Sequence, residues 1–554
     1  MTRVASNLFC RPATALALIL SLSCACATAQ PVRRRAVPRP DPGVPQWNHE
    51  WARGAVFYEI FVRSFADSNG DGRGDFNGLI SKLDYLNDGN PATSSDLGID
   101  GIWLMPVFES TSYHGYDTTD YELIEGDYGT NADFKRFLQE AHQRGIRVII
   151  DLVLNHTSVE HPWFLDSASS TASPKRGWYV WSATNPGWNQ PWGGTYPSWH
   201  ARNGAYYYGA FWSGMPDLNY RNAEAKAEMF RITRHWLVEG VDGYRLDATR
   251  YLIETGPGEA GQADTEGTHQ LLKELSAEVR RIRPEAILVA ENTVGTARMA
   301  TYFGSNTLVK EGDEMPMNFN FPLASAIVEG VKNGDSRGIR NTLREMIQVY
   351  PAGIIDTPFL TNHDQTRVAT VLSNDQAKLR NAAAILLTLP GMPFLYYGEE
   401  VGLQNGPTSA DESKRTPMPW IPSGGFTTSS PWHPYALGLA SGNVASQTAD
   451  PRSLLSHYRN WIAARKGSPS LGEGNITPLE TGAQILAFLR ESRGERVLVV
   501  HNMSDSPVNA GPLAVTGDQL ETVYTDSGVS APDGSSGAWR VSLPSRSSGV
   551  WRVR

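Results

Sequence analysis

The chain has 554 residues, too long for one simple domain, with 49 Lys+Arg against 58 Asp+Glu and a formal net charge of −9. That balance argues against nucleic acid or an anionic membrane surface as the main partner. The 16 Trp and 21 Tyr suit an uncharged ligand with C–H faces, of which carbohydrate is one.

At the N-terminus, Arg3 and Arg11 precede an apolar run, Ala13 to Leu22, too short to span a bilayer comfortably. Small residues follow and end in Ala27-Thr28-Ala29, which predicts an export signal over 1–29 cleaved before Gln30. A lipoprotein signal at Cys24 or Cys26 is the alternative, so the expected location is periplasmic or extracellular, free or lipid-tethered. All three cysteines (Cys10, Cys24, Cys26) lie in this segment, and no disulfide is expected in the mature chain. Residues 30–46 are Pro- and Arg-rich and read as an extended linker. The folded part is expected from Trp47.

Apolar stretches at 55–62 and 101–107 predict strands. Asn131 reads as the cap of a helix that presents Phe134, Phe137, Leu138 and Ala141 on one face, and Gly145 stops it. A strand at 146–156 follows. Met229, Ile232 and Trp236 then line a second helix, ended by Gly240 before a strand at 244–248. Later strands are expected at 286–291, 356–364 and 394–400. Apolar strands alternating with helices imply parallel strands covered on both sides. About eight such units close naturally into an α/β (β/α)8 TIM barrel over 47–156 and 219–469. Residues 157–218, rich in Trp, Tyr, Gly, Pro and Asn, read as an insertion domain after the third strand. Residues 470–554 read as a C-terminal all-β sandwich domain.

Strand residues alternate faces, so Arg245 and Asp247 should point into the same space. In such a barrel, functional residues sit at the C-terminal strand ends. This chain has Asp151, Asn155 and His156 there, then Arg245 and Asp247, then Glu291, then Asn362, His363 and Asp364. A capping Asp or a satisfied core His would explain any one of them, but not all of them at one end of the barrel. Separately, DSNGDGRGD from Asp67 to Asp75 sets oxygen ligands at alternate positions around Gly72. That suits a hard cation such as Ca²⁺, although the position of an EF-hand's closing glutamate is Gly78; a metal-free Asp/Gly turn is the competing reading.

Six motifs in order, YHGYDTTDY (113–121), DLVLNH (151–156), MPDLN (215–219), GYRLDATR (243–250), VAEN (289–292) and FLTNHD (359–364), resemble the α-amylase family, glycoside hydrolase family 13. The resemblance covers nearly the whole mature chain. It implies an α-glucan substrate, Asp247 as nucleophile, Glu291 as general acid/base and Asp364 as the third carboxylate, which binds sugar hydroxyls. It further implies that Arg245 keeps Asp247 ionised by lowering its pKa. His114, His156 and His363 match positions that hydrogen-bond the sugar, Tyr116 an aromatic platform, and Asp117, Asp151 and Arg367 supporting positions. In oligoglucosidase-like members a loop of this kind holds structural Ca²⁺, which here implies Asp67, Asn69, Asp71 and Asp75 with the Arg73 carbonyl. Asn155 matches a ligand of a second calcium, but Arg250-Tyr251 replaces the usual Lys-His, so the usual His ligand of that site is missing. MPDLN lies between the sequences of amylases and oligo-1,6-glucosidases. Ala248 stands where enzymes that cleave α-1,6 bonds tend to carry valine, which favours α-1,4. An α-glucosidase or 4-α-glucanotransferase using the same residues, a non-catalytic glucan-binding scaffold and a calcium sensor are the rival readings. Oligomeric state is not legible.

Overall fold

The computed structural model describes residues 43–554. The expected signal segment, all three cysteines and most of the linker lie outside the described residues. The Pro45 carbonyl accepts from Arg280 Nη1 at 3.1 Å. Among the described residues no helix is long and apolar enough to cross a membrane.

Seven parallel strands make one sheet: β1 (Phe57–Ile60), β2 (Gly101–Leu104), β3 (Arg147–Leu152), β4 (Gly243–Leu246), β5 (Ile287–Ala290), β6 (Met317–Asn318) and β7 (Phe394–Tyr396). They run in the order β6-β5-β4-β3-β2-β1-β7. Parallel bridges Phe319↔Thr357 and Phe359↔Phe394 insert an eighth segment between the two edges and close the TIM barrel. The sequence predicts a full strand at 356–364, but only these bridges form. Pro358 has no N–H to give to a ladder, and its carbonyl alone accepts from Phe394 N at 2.9 Å. β6 is too short to leave a sequence signal, and the strand expected at 55–62 gives way to a helical turn at Val62–Phe65.

Alternation within the strands builds the barrel interior. Phe57, Trp103, Ile149, Ile287, Val289, Met317, Phe319, Phe359 and Phe394 fill its lower part. A Cβ on Gly101 would lie 2.3 Å from the Phe57 ring, so only glycine leaves room there. Two residues further along the same inward rows stand Glu59, Asp151 and Arg245. The floor is apolar and the C-terminal rim is charged.

Surrounding helices follow the expected periodicity. In Ala223–Glu239, Met229, Ile232 and Trp236 are buried, and Gly240 caps the helix in the left-handed region at φ 116°. In Asn131–Gln143 the cap is Thr130, not Asn131. Thr130 has extended backbone and closes a reciprocal capping box with Asp133. Asn131 instead ties the helix to a short strand before it, Thr118–Ile124, donating to Glu122 O at 2.7 Å.

Between β3 and β4, a helix (Pro162–Ser169) whose Phe164 joins the main core precedes a three-stranded antiparallel sheet (Trp181–Ser182, Ala205–Tyr208, Trp199–Arg202) with its own cluster around Trp199 and Tyr208. At the C-terminal end of the chain a five-stranded and a two-stranded antiparallel sheet enclose Leu498, Val500, Val541 and Trp551. The opposite face of the larger sheet, with Phe488, Val497, Val499 and Val550, joins the main core. The described residues therefore belong to one compact unit, in which the barrel and the C-terminal sheets share a core.

Just after β7, Glu399 and Glu400 are buried, each with one oxygen lacking a hydrogen-bond partner. Glu399 accepts from Tyr458 OH at 2.8 Å, and burial pushes its carboxyl up to about 8. A carboxyl raised in the folded state binds a proton that the unfolded chain releases near its ordinary value. Stability is therefore lost as pH climbs towards 8, by up to about 1.4 kcal/mol per pH unit. Glu399→Gln removes that loss, so its melting temperature relative to wild type should be higher at pH 8.5 than at pH 5. Parallel melting curves at the two pH values would contradict this.

Candidate active site

The charged rim is organised by one guanidinium. Arg245, inward-facing in β4, has a fully buried side chain. Its Nη1 donates to both oxygens of Asp151 at 2.9 Å and to Asp247 Oδ1 at 2.8 Å. Its Nη2 lies 2.7 Å from Glu291 Oε2, an ion pair without a well-directed hydrogen bond. β4 ends at Leu246, yet the alternation continues for one residue, so Asp247 does share Arg245's face. The next residue, Ala248, adopts φ 51°, a conformation uncommon for a side-chain-bearing residue. That turn aims the Ala248 N–H at Glu291 Oε2, 3.1 Å away.

Burial raises Asp247 to about 6 and Glu291 to about 7, in both cases against the downward pull of Arg245. Asp151 is likewise raised to about 6 by burial. The expectation that Arg245 leaves Asp247 with a lowered pKa is thus corrected. Its attraction opposes the desolvation of three clustered carboxylates without cancelling it.

A second network comes from other strands. His363 is fully buried, with Nδ1 2.6 Å from Glu59 Oε1 and Nε2 3.1 Å from Asp364 Oδ2. Burial pulls its pKa down, but the Asp364 and Glu59 carboxylates outweigh that and hold it up at about 9. Asp364, 49% exposed, is also paired with Arg415 Nη2 at 2.9 Å. Burial pushes Asp364 up, but His363 and Arg415 outweigh it and hold the carboxyl well below the usual range. Tyr116 joins the two networks. Its hydroxyl donates to Asp151 Oδ2 at 3.0 Å and lies 2.6 Å from His363 Nε2, and its ring stacks on His363 at 5.6 Å.

The remaining expected residues divide by exposure. His114 is partly open, its Nδ1 taken by Ser112 Oγ at 3.0 Å and Tyr116 N at 3.1 Å. Asp117 is buried and accepts from Thr111 and Ser112 hydroxyls. His156 is buried, lowered by burial to about 4, and reaches the Tyr116 carbonyl at 3.1 Å. His156 and His363 therefore order their neighbours, with their nitrogens engaged inside the protein. Arg367 is not at the rim with the carboxylates. It is buried, donates to the carbonyls of Tyr397 and Lys414 at 2.7 and 2.8 Å, and lies over the Tyr396 ring. Arg415, 51 residues beyond Asp364, is the arginine beside it, and Glu59 is the partner of His363. Glu59 was discoverable as the lone acid in an apolar strand. Arg415 carries no local signal.

In the Asp67–Asp75 loop, Asp67, Asn69 and Asp71 each accept from the amide two residues on, at 3.0, 2.8 and 2.8 Å, which coils the chain into successive turns. Asp75 is the N-cap of helix Phe76–Ile80 and also accepts from Ser68. The donor set of three carboxylates, an amide oxygen and a carbonyl is all oxygen and fits a hard cation. As placed, the carboxylates are engaged by amide and hydroxyl hydrogens. Among the described residues no three acidic, His or Cys side chains are gathered at metal-holding spacing. At the second position, Asn155 Oδ1 and Asp217 Oδ2 are buried without hydrogen-bond partners, and Tyr251 stands where a His ligand was missed.

Removing the central cation should expose the arrangement. Arg245→Met leaves three buried carboxylates uncompensated and should cost about 3–5 kcal/mol at pH 7. With Asp151, Asp247 and Glu291 already raised to about 6, 6 and 7, they take up protons as pH falls. The penalty in urea unfolding should therefore shrink at pH 5, and an equal penalty at both values would contradict the assignment.

Residues 59–474 match the family model for the α-amylase catalytic domain. The chain is 39% identical over 464 residues to α-amylase 3 of Dictyoglomus thermophilum, covering 83% of this chain and 86% of that one. It is 36% identical over 516 residues to a trehalose synthase of Pimelobacter sp., covering 83% and 88% respectively. The crystal structure of an α-amylase from H. orenii superposes with a TM-score of 0.81 at 37% identity, covering 91% of this chain and 100% of that one. A barrel with these carboxylates at its rim, matched over three quarters of its length, belongs to the α-amylase family of glycoside hydrolases and transglycosylases.

Proposed function

We propose that the protein is an exported retaining hydrolase of α-1,4-glucosidic bonds in starch or maltooligosaccharides. The observation that carries the reading is a pair of carboxyl groups, Asp247 and Glu291, sharing one buried arginine. Asp247, directly hydrogen-bonded to Arg245 and 12% exposed, is the nucleophile. Its carboxylate attacks the anomeric carbon while Glu291 gives its proton to the departing glycosidic oxygen. Glu291 then takes a proton from water, which attacks the glycosyl-enzyme and releases Asp247. A carboxyl held near 7 is suited to both halves of that exchange. Asp364, kept ionised, binds sugar hydroxyls and the positive charge that develops on the ring. His114 and Tyr116 lie at the open edge to meet the sugar; Asp117, Asp151, His156 and His363 hold them. Ala248 and the amylase relative support α-1,4 over α-1,6 cleavage.

A second reading has one observation in its favour, the similarity to a trehalose synthase over most of both chains. Transfer differs only in whether a sugar hydroxyl, rather than water, intercepts the intermediate. Products from maltoheptaose, starch, isomaltose and maltose separate the two. Short maltooligosaccharides from starch, with isomaltose untouched, support hydrolysis. Chains longer than the substrate, or trehalose from maltose, overturn it in favour of transfer.

Export rests on the residues 1–29, and periplasmic or extracellular location with it. Structural Ca²⁺ is proposed for the Asp67, Asn69, Asp71 and Asp75 side chains with the Arg73 carbonyl, where it would add a fixed charge and stabilise the loop. A ligand bound only by the folded state contributes about 2.7 kcal/mol at 100 Kd. Chelation should therefore lower the melting temperature, with recovery on adding Ca²⁺ back. An unchanged curve after verified metal removal would dismiss the site.

The pH profile should be bell-shaped. Asp247 must be ionised, so kcat/KM falls as pH drops below about 6, and Glu291 must hold its proton, so it falls above about 7. Asp247→Asn should abolish turnover with the fold intact, and near wild-type activity would refute the nucleophile assignment.

A further inference from the structure

The Asp67–Asp75 loop is connected to the catalytic rim by a continuous line of contacts. An irregular segment, 426–432, lies against the loop. Asp67 N donates to Phe426 O at 2.9 Å, Thr427 Oγ1 donates to Asp67 Oδ2 at 2.6 Å, and Trp432 N donates to Gly72 O at 2.8 Å. The approach is close: a Cβ on Gly72 would sit 2.2 Å from Ser430 O. At the far end of the segment the Trp432 indole is fixed on three sides. Its Nε1 donates to Ser64 Oγ at 3.0 Å, its ring meets Phe61 in a T-shaped contact at 5.9 Å, and it stacks on Tyr113 at 5.4 Å with 27° between planes. Tyr113 in turn accepts a hydrogen bond through its hydroxyl from Arg415 Nη1 at 3.0 Å. Arg415 spends its other nitrogens on His363 O at 3.1 Å and Asp364 Oδ1 at 2.9 Å.

We propose that Trp432 is a positioning residue that transmits the set of the Asp67–Asp75 loop, through Tyr113, to the Arg415–Asp364 ion pair. The physical reason lies in where Arg415 is held. The Arg415 guanidinium reaches into the rim from a segment (411–418) outside the barrel strands. Asp364 is half-exposed, so its orientation depends on that guanidinium and on His363. His363 is anchored from inside the barrel by Glu59, whereas Arg415 is anchored against Tyr113. Tyr113 is only partly buried and is backed by Trp432. The loop is thus a support for one side of the active site as well as a local fold element. This rests on the reading that Asp364 serves the reaction.

The test uses the full chain with Trp432→Leu, Trp432→Phe and Gly72→Ala, and Thr427→Val as a milder break at the loop should Gly72→Ala not fold. Hydrogen exchange of peptides covering 411–416 should quicken at least fivefold in Trp432→Leu and in the loop variant. With a maltooligosaccharide, kcat of Trp432→Leu should fall at least fivefold with KM within twofold, and Trp432→Phe, which keeps a ring on Tyr113, should restore at least half. Exchange changes confined to 67–75 and 426–432, or an unaltered kcat in Trp432→Leu, would overturn the proposal. If the wild type hydrolyses no α-glucan, the functional reading fails, and the exchange at 411–416 still decides the coupling.

Discussion

A buried guanidinium facing three carboxylates is the constraint on which the rest of the charged rim depends. Taking one unpaired charge into a barrel costs several kcal/mol, and Arg245 is tolerated only because Asp151, Asp247 and Glu291 surround it. The converse holds as well, since three acids cannot share that space without a cation. One positive charge for three acids leaves the cluster short of neutral. Burial accordingly raises all three carboxyls, to about 6, 6 and 7. Burial that one cation does not offset is what leaves a proton on Glu291.

Asp364 shows how environment divides labour among like groups. It meets two partners of positive character, His363 and Arg415, and its carboxyl is held low while Glu291 is held high. Carboxyl groups with pKa values pushed apart can serve as proton donor and permanent anion in one pocket. The two networks touch through the Tyr116 hydroxyl, between Asp151 and His363. The rim therefore behaves as a single hydrogen-bonded body, closed from below by Trp103 and Phe319.

Around this body the supports are unequal in kind. Glu59 and Asp151 stand on barrel strands and are fixed by the packing of the interior. Arg415, Tyr113 and Trp432 come from segments outside the sheet and hold each other through one stack and a few hydrogen bonds. The aromatic-rich insertion adds a third kind, an independent small core around Trp199 and Tyr208.

The strand–helix alternation, the apolar interior rows and the pairing of Arg245 with Asp247 were all legible in the sequence, because strand alternation and helical periodicity are local and act over a few residues. So were the carboxylates at the strand ends, since a charged residue after an apolar strand is conspicuous. What local pattern could not supply was closure and partnership. The eighth segment forms single bridges because Pro358 cannot donate, and β6 is two residues long, so both depend on neighbours far away in the chain. Thr130 rather than Asn131 caps its helix because the reciprocal bond to Asp133 decides between adjacent candidates. Arg415 reaches Asp364 across 51 residues, while Arg367, nearer in sequence, turns away to buried carbonyls. The pKa of Asp247 also escaped the sequence: an adjacent arginine predicts a lowered value, and only the count of carboxylates that the fold packs around it, with their burial, sets the direction. Residue type and spacing determined which groups could do the chemistry; the tertiary structure decided which charges share a space without water, and that sets their protons.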